Sequence, residues 1–398
     1  MRNYTYFTLT SICIFGLLAQ GCGNSTQQSD QGPEHEVELE LVDSIMVDKL
    51  EPLVIDDYRS DLGYFLFRET KSRKPILTDE KGTILKEFDI LNEGPDGMGS
   101  YGTGYRLMDE QQWVAQNLMT GFFTYDYQGH QLGKFAPETA GLFSISVFSG
   151  RTKFTPIKKN GDWHLLAEEP NVFDHKAIDA EQLGAVFYDQ AKSLIDMNLS
   201  SGEQKLLTSY PDGWEPKVSQ RYIGNAFPLL AINQHSLKMG VLPTAGNQLF
   251  IFDYSGEEPI LRDTVMLSHR HRPEQAPKAA SSEDRWQDDY PVFTDLRVWK
   301  DGFLVGFHTR IPAEVMKSLR AKSEEYYKLP EFKVASKQYA KPYYIVIRDG
   351  KQFGVINKLP IDGNVDFMDE EGFIYINNNS SPEIERDYNV FYKLKIKN

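Results

Sequence analysis

The stretch GFFTYDYQGHQLGKF, residues 121–135, decides the fold of this chain. It contains an alternating strand that ends at Asp126, a turn of the D-x-x-G type that ends at Gly129, and a second strand. An Asp side chain can accept hydrogen bonds from the backbone of its own turn, and Gly tolerates the positive φ that tight turns require. The stretch therefore predicts a β-hairpin.

The same outline recurs elsewhere in the chain. Close copies lie at residues 74–85 (KPILTDEKGTIL) and 248–261 (QLFIFDYSGEEPIL), a looser copy at 193–202 (SLIDMNLSSG), and a shorter one at 343–355 (YYIVIRDGKQFGV). A recurring supersecondary unit indicates a repeat fold, in which neighbouring units bury a common core.

The spacing of the turn glycines identifies the repeat. The turns end at Gly82, Gly129, Gly202, Gly256 and Gly350. The first and third gaps match a four-stranded propeller blade of about 40–50 residues, and the other two gaps need insertions. Two more candidate strands precede each turn, as at residues 105–108 and 113–116 of the second blade.

The end of the chain supplies only three candidate strands, at residues 365–368, 373–376 and 389–396. A fourth can come from residues 37–44 and would close the ring. We therefore predict an all-β chain that forms a six-bladed β-propeller of four-stranded blades, with the last blade closed by the N-terminal strand. Closure removes exposed sheet edges. An irregular pair of β-sandwiches with fortuitous D-x-x-G turns is the alternative.

A helical insertion is predicted in the fifth blade, at residues 311–322. Pro312 suits a first helical turn and Glu314 complements the helix dipole. Met316 and Leu319 belong to one apolar stripe along this helix. The stripe fits either a helix packed on the rim of the propeller or a lid that binds a partner.

The start of the chain predicts its compartment. Arg2 is followed by a mostly apolar run, residues 7–19, and then by a lipobox-like Leu-Ala-Gln-Gly that ends at Cys22. We predict a lipoprotein signal peptide at 1–21, a lipidated tether at 22–36 and the propeller at 37–398. Cys22 would carry the diacylglycerol and palmitate chains that anchor the protein to the outer membrane of the cell envelope, facing the periplasm or the cell surface.

Two other interpretations of this segment are weaker. A transmembrane anchor needs about 20 continuous apolar residues, and this run is shorter. An ordinary signal peptide would need no cysteine directly after the cleavage site. The other cysteine, Cys13, lies inside the segment predicted to be removed, so the mature chain could form no internal disulfide.

The charge balance excludes one class of partner. The chain has 43 Lys and Arg against 57 Asp and Glu, for a net charge of −14. Nucleic acid binding calls for a basic surface, so we predict no nucleic acid partner. We predict no metal and no cofactor either. The sequence contains neither G-x-S-x-G nor H-E-x-x-H, the signatures of two hydrolase classes.

Blade topology predicts which face carries function. Antiparallel strands place the D-x-x-G turns on one face and the b–c and d–a loops on the other. The long segments at 93–104, 169–192, 267–291 and 311–341 are assigned to the second face. Long loops on a rigid scaffold commonly carry binding residues.

Three groups on these loops are candidate ligand or partner contacts: Pro95, Asp96 and Met98; His269, Arg270, His271 and Arg272; Met316 and Leu319. The glycine-rich segment 93–99 fits an anion-binding loop or an ordinary inter-blade loop. The His-Arg cluster could bind a carboxylate or sulfate, or be solvated loop charge. Its H-x-H pair supplies fewer ligands than a metal site needs.

The chain resembles the six-bladed propeller-like lipoproteins of Bacteroidetes that are known as domains of unknown function. The resemblance rests on the lipobox, on residues 86–99 (KEFDILNEGPDGMG) and on the Pro211-Asp212 step, and spans residues 37–398. It implies the fold and the compartment and supplies no catalytic residues.

The sequence therefore leads to a non-enzymatic binding or scaffolding lipoprotein whose partner is an envelope protein or a glycan. The alternative is an extracytoplasmic polysaccharide hydrolase or lyase that uses carboxylates of the central funnel, or His269 and His271. A purely structural envelope component is a third hypothesis. A deep funnel with convergent His, Arg and carboxylate groups would favour chemistry, and a flat aromatic face would favour a protein partner.

Overall fold

The structure is a computed structural model that describes residues 34–138, 151–172, 180–277, 289–381 and 383–397. The predicted signal peptide, Cys22 and most of the predicted tether lie outside the described residues and stay predictions. In the described part of the chain, no helix is long and apolar enough to cross a membrane.

Six four-stranded antiparallel sheets form the blades of a propeller, as predicted. Strand β1 (Leu39–Val47) precedes the first blade in the chain. Blade 1 contains β2 (Leu53–Arg59), β3 (Tyr64–Glu69), β4 (Pro75–Asp79) and β5 (Ile84–Glu87). Blade 2 contains β6 (Gly102–Leu107), β7 (Gln112–Asn117), β8 (Gly121–Asp126) and β9 (Gln131–Phe135). Blade 3 contains β10 (Phe154–Lys159), β11 (Asp162–Glu168), β12 (Leu194–Asn198) and β13 (Gln204–Leu207).

The second half of the ring has the same plan. Blade 4 contains β14 (Pro228–Ile232), β15 (Lys238–Pro243), β16 (Gln248–Asp253) and β17 (Ile260–Met266). Blade 5 contains β18 (Phe293–Trp299), β19 (Gly302–His308), β20 (Pro342–Arg348) and β21 (Lys351–Ile356). Blade 6 contains β22 (Asn364–Met368), β23 (Ile374–Asn377) and β24 (Asn389–Ile396), with β1 as its fourth strand.

The N-terminal strand closes the ring. Strand β1 pairs antiparallel with β24, from Leu39 opposite Ile396 to Val47 opposite Asn389. The predicted closing strand is therefore confirmed, although it begins and ends slightly later than the sequence suggested. Closure at this point joins the two ends of the described chain in one sheet.

The residues before β1 reach back to blade 5. The Val37 N–H donates to the Val355 carbonyl at 2.8 Å, and the Val355 N–H donates to the His35 carbonyl at 2.8 Å. A Cβ on Gly354 would lie 2.6 Å from the His35 oxygen, so a glycine is needed for this approach. The N-terminal segment thus links blades 5 and 6.

The core lies between adjacent blades. Strand β8 is buried along nearly its whole length, whereas the outer strand β9 alternates between exposed and half-buried positions. Inner strands are covered on both faces because each blade is sandwiched between two neighbours. Between blades 1 and 2, Leu66 and Leu77 pack with Trp113 and Tyr125, whose rings stack at 5.0 Å.

The D-x-x-G turns of blades 1 and 2 form as predicted, whereas those of blades 3 and 4 differ. In blade 3, Asn198 and not Asp196 accepts the N–H groups of the turn. Asp79 Oδ1 accepts the backbone N–H groups of Lys81 and Thr83 at 2.9 and 2.8 Å, and Gly82 has φ +87°. Gly256 is not among the glycines with positive φ, so its predicted role is wrong. The connection from β16 to β17 is longer than a tight turn and does not require a left-handed residue.

The predicted helical insertion in blade 5 is confirmed. Short helices α1 (Ala180–Leu183), α2 (Phe187–Gln190) and α3 (Glu215–Val218) lie in loops around blade 3. Between β19 and β20 lie α4 (Ala313–Lys322) and α5 (Pro330–Tyr339), of which only the first was predicted. The two longer helices bury a small apolar core of their own.

Candidate functional site

The two faces of the propeller differ in what covers the central channel. We call the face with the b–c and d–a connections the loop face and the opposite face the turn face. At the turn face, Arg59 Nη1 donates to Gln234 Oε1 at 3.2 Å, joining blade 1 to blade 4 across the axis. His235 Nε2 lies 2.7 Å from Glu370 Oε2 and joins blade 4 to blade 6. These links bridge the turn-face end of the channel.

A cavity of about 610 Å³ lies on the loop face, and we call it the axial funnel. Its walls are the first residues of β18 and β22 and the last residues of β19 and β23, which meet at this face. Its polar lining consists of Arg151, Thr294, Asp295, Arg297, His308, Asp362, Asn364, Asp366, Asn377, Asn378, Ser380 and Ser381.

A buried cluster of charges forms the floor of the axial funnel. The Arg151 side chain is 7% exposed and forms an ion pair with Glu168. Its Nε lies 3.6 Å from Asp295 Oδ1, while Asp295 Oδ2 accepts a hydrogen bond from Arg297 Nε at 2.6 Å. Arg151 therefore bridges blades 3 and 5 beside the axis.

Carboxylates of this region also join neighbouring blades through the backbone. Asp366 Oδ2 accepts the Ile55 N–H at 2.7 Å, from blade 6 to blade 1. Asp57 Oδ2 accepts the Leu107 N–H at 2.8 Å, from blade 1 to blade 2. Glu168 Oε1 likewise accepts the N–H of a blade 4 residue, Leu230, at 2.7 Å. These carboxylates hold the inner strands in register around the axis.

A buried ion pair adds to these links. Arg68 donates two hydrogen bonds to Asp56, at 2.9 and 3.1 Å, and both side chains are almost fully buried. Thr152 Oγ1 donates to the same carboxylate at 2.9 Å. Bidentate geometry with an additional donor is the arrangement in which a buried pair can offset its desolvation.

Burial changes the pKa values of an acid and an imidazole in the funnel wall. Burial raises the pKa of the Asp366 carboxyl to about 7. Burial also lowers the pKa of the His308 imidazole, with a smaller contribution from Arg310, so this ring is neutral at pH 7. The wall near these residues therefore carries less charge than its composition suggests.

A second cavity, of about 160 Å³, lies on the loop face across blades 1, 2 and 3, and we call it the side cleft. Arg151 lines both cavities. The side cleft also contains Arg73, Lys153 and Glu169, and Tyr101, which is 61% exposed, stands in its wall. Burial lowers the pKa of Lys153 and raises that of Glu169.

The predicted His-Arg cluster lies at the perimeter, above blades 4 and 5. His269 is buried against Phe307 and Tyr343, with ring centroids 5.0 Å away in each case. Its Nδ1 accepts the His271 N–H at 3.1 Å, and its Nε2 lies 3.2 Å from Asn357 Oδ1, which requires a neutral ring with the proton on Nε2. Burial lowers the pKa of His269 to about 4.

Arg272 of the same cluster is also buried. Its guanidinium lies 3.6 Å from the centroid of the Phe293 ring and donates to the carbonyls of Gly246 and Pro291. Burial lowers its pKa to about 10. His269 and Arg272 therefore hold the loop that follows β17 against blades 4 and 5. Arg270 and His271 are exposed. A ligand role for the cluster stays a prediction, limited to the two exposed residues.

The glycine-rich loop turns away from the axial funnel. Asp96 Oδ1 accepts the N–H of Gln131, the first residue of the outer strand β9, at 2.9 Å. Pro95 is exposed, but Met98 is buried in the core between blades 1 and 2. The proposed contacts of Pro95 and Asp96 stay predictions, and the Met98 side chain is not available at the surface.

The apolar stripe of the insertion faces its own core. Met316 and Leu319 of α4 are buried with Ala335 of α5, so they are not available at the surface either. Lys337 on α5 forms an ion pair with Glu383 at 2.9 Å, which ties the insertion to the b–c loop of blade 6. That loop begins with the Asn and Ser residues that line the axial funnel.

Sequence reasoning missed the residues that build both cavities. The run Asn377-Asn378-Asn379-Ser380-Ser381 directly follows a predicted strand, and its density of amide and hydroxyl groups was an available signal. Arg151 and Lys153 carry no such signal, because nothing in the local sequence places them beside the axis. Among the described residues, no group of three or more His, Cys, Asp and Glu side chains is placed to hold a metal ion.

Comparison with known proteins supports the architecture. No family model matches the chain, and no curated protein sequence matches it. A solved structure of a DUF4221 family member from Bacteroides vulgatus is similar, with a TM-score of 0.65 and 17% identity over 91% of this chain and 99% of that one. At this identity the likeness shows the fold alone.

Two more distant structures are similar at lower scores. A protein from Bacteroides fragilis classed as exported has a TM-score of 0.49 and 9% identity, covering 91% of this chain and 95% of its own. A streptogramin B lyase has a TM-score of 0.42 and 11% identity, covering 91% and 98%. 

Proposed function

We propose that this protein is a non-enzymatic binding propeller of the cell envelope that holds a glycan in the axial funnel. The observation that carries the proposal is the polar, mostly uncharged rim of a cavity of about 610 Å³. Thr294, Asn364 and Ser380 line this cavity and are exposed. Amide and hydroxyl groups exchange hydrogen bonds readily with sugar hydroxyls, and a concave site suits a small or linear ligand.

The volume of the axial funnel favours a glycan over a protein partner. A cavity of about 610 Å³ falls in the range of small-molecule sites. A protein partner is better served by a flat surface with aromatic anchors. A protein partner from the envelope would instead be indicated by a pull-down from membrane extract that repeatedly recovers one specific protein.

The charged groups of the funnel support binding over catalysis. A general acid or base must reach the proton that it transfers. Asp366 is 6% exposed and already accepts the Ile55 N–H, and Asp295 accepts a hydrogen bond from Arg297 and lies 3.6 Å from Arg151 of blade 3. Both carboxylates therefore already link one blade to another.

One observation keeps a hydrolase or lyase as the second candidate. The near-neutral pKa of Asp366 and the neutral ring of His308 occur in one cavity, and shifted pKa values cluster at catalytic sites. Turnover of polysaccharides by wild type, lost in D366N, would favour this alternative. Binding without turnover would favour the proposal above.

The test of the binding proposal is a glycan array followed by calorimetry with each retained oligosaccharide. N364A and S380A each remove one exposed rim group, and we expect about 3- to 10-fold weaker binding, the equivalent of one hydrogen bond. The control E80Q changes an exposed residue of the turn face and should bind like wild type. Equal affinities in all four proteins would refute the funnel as the site.

The lipid anchor is proposed on the sequence alone. C22S should move the protein from the membrane fraction to the soluble fraction and remove the mass of the acyl chains. The matched control is C13S, which alters the other cysteine of the chain and should leave lipidation intact. Membrane retention of C22S would contradict the proposal.

A further inference from the structure

The axial funnel and the side cleft lie on either side of Arg151, which lines both. A ligand longer than one sugar that fills the funnel can therefore extend over Arg151 toward blades 1 to 3. The two cavities differ in chemistry. The funnel rim presents amides and hydroxyls, and the side cleft presents cations.

The cations of the side cleft are not all neutralised by local acids. Arg68 is paired with Asp56, and Arg151 with Glu168. Arg73 forms no ion pair with any described residue, and its side chain is exposed. The lining as a whole contains more basic than acidic side chains, with Arg68, Arg73, Arg151 and Lys153 against Glu168 and Glu169. The cleft is thus locally positive in a chain with a net charge of −14.

The position of Arg73 is fixed by its backbone conformation and by two backbone hydrogen bonds. Arg73 has φ +66°, which is uncommon for a residue other than glycine. Its carbonyl accepts a hydrogen bond from Tyr105 Oη at 2.6 Å, and its N–H donates to the Glu69 carbonyl at 3.2 Å. Both contacts use the backbone, so the guanidinium remains for a ligand.

We propose that the side cleft is a carboxylate subsite, so that the glycan is an acidic oligosaccharide whose uronate group lies beside Arg73 and Lys153. This inference rests on the proposed function, which places the neutral part of the ligand in the axial funnel. A guanidinium can hold a carboxylate through two parallel hydrogen bonds. The exposed Tyr101 ring at the same cleft offers a flat surface to a pyranose.

The test compares acidic probes with their uncharged counterparts. Trisaccharides of hyaluronan, unsulfated chondroitin and heparosan, each with one uronate between two uncharged sugars, are titrated calorimetrically into the full mature protein, alongside the same trisaccharides as methyl esters. We expect wild type to bind at least one acid about 10-fold more tightly than its ester. R73Q should abolish this preference by lowering the affinity for the acid to the affinity for the ester. N364A should weaken both affinities by the same factor.

A matched control separates a subsite from long-range attraction. R262Q removes the same charge from an arginine on the outer strand of blade 4, paired with Asp253. We expect R262Q to retain the full preference for the acid. An equal loss in R73Q and R262Q would overturn the inference, because general electrostatics would then account for it.

The remaining outcomes are also decisive. If acid and ester bind equally well, and R73Q binds like wild type, the carboxylate subsite is wrong and the glycan proposal stands. If folded wild type binds no acid and no ester, and the glycan array retains nothing, both proposals are wrong. K153M should give the same loss of preference as R73Q, and an unchanged preference in K153M would exclude Lys153 from the subsite.

Discussion

The turn face and the loop face use polar side chains in opposite ways. On the turn face, Asp79 and Asp126 each accept N–H groups from the same turn, within four residues along the chain. On the loop face and toward the axis, Asp366 and Glu168 accept N–H groups from the next blade. The first kind of contact forms within a hairpin, and the second requires the closed ring.

This difference indicates why long loops and cavities occur on one face. At the turn face, each turn is held by hydrogen bonds within itself. The hydrogen bond between Arg59 and Gln234 also links two opposite blades at this face, so the blade ends are fixed there. The inter-blade contacts then hold the other end of the inner strands, so the loops beyond them can vary in length without opening the ring. If this comparison is right, polar substitutions should be far more disruptive near the axis than at the turns.

The largest effect is expected for R68A. The Arg68 and Asp56 side chains are 4% and 1% exposed, so removing the cation leaves a buried carboxylate without its main partner. Breaking a buried ion pair from one side costs about 3–5 kcal/mol. Urea denaturation at pH 7 should show this loss, whereas R262Q on the turn-face periphery should leave the midpoint unchanged. Similar midpoints for both variants would show that polar side chains near the axis contribute no more to stability than those near the turns.

The next largest effect is a change of pH dependence in D366N. Because burial raises the pKa of Asp366 to about 7, the folded protein holds a proton that the unfolded chain releases above about pH 4. This contribution to stability is therefore lost as the pH rises from about 4 to about 7. Asn keeps an acceptor for the Ile55 N–H but does not titrate.

The free energy of unfolding of D366N, relative to wild type, should increase by about 2–4 kcal/mol between pH 4.5 and pH 8, at about 1.4 kcal/mol for each pKa unit. Denaturation series at both pH values measure it. A constant difference between the two proteins would show that Asp366 is ionised throughout, as an ordinary surface carboxylate is.

For His269, the pH dependence of stability should have the opposite sign, and H269Q tests it. Burial lowers the pKa of His269 to about 4. Below about pH 6.5 the unfolded chain therefore binds a proton on this ring, whereas the folded chain binds it only near pH 4. This contribution is present above pH 6.5 and lost as the pH falls toward 4. Gln retains a donor and an acceptor, and wild type should lose about 2–3 kcal/mol more than H269Q over this range. If the stabilities of wild type and H269Q change in parallel with pH, the His269 pKa is the same in the folded and unfolded chain, as expected for a solvated loop.

The smallest effect distinguishes two turns of the same face. Gly82 and Gly202 have φ +87° and +77°, so Ala at either position is disfavoured by about 1–2 kcal/mol. A Cβ at Gly82 would also collide with the Met46 carbonyl of the closing strand, whereas a Cβ at Gly202 has nothing within 4 Å. Thermal unfolding should show that G82A is less stable than G202A by about a further 1–3 kcal/mol.

Equal stabilities of G82A and G202A would mean that a Cβ at residue 82 does not collide with strand β1. A larger loss of stability in G82A would show that, of these two turns, the turn of blade 1 is coupled to ring closure.

The predictable part of the structure follows from local patterns. Alternating strands and D-x-x-G turns identified the blades, and three strands at the end of the chain required a fourth from the start. The helix at 311–322 was visible from its spacing, but α5 and the buried orientation of Met316 and Leu319 were not. An apolar stripe specifies that a face is buried but not which element covers it.

The site itself was only partly predictable. The sequence alone determined a ring of six blades, the strand that closes it and the face that carries the long loops, because hairpins and turns depend on residues close together in the chain. Only the tertiary structure decided that Arg151 stands beside the axis and that His269 and Arg272 are buried. These positions depend on how the blades are rotated against one another, which is set by contacts between residues far apart in sequence.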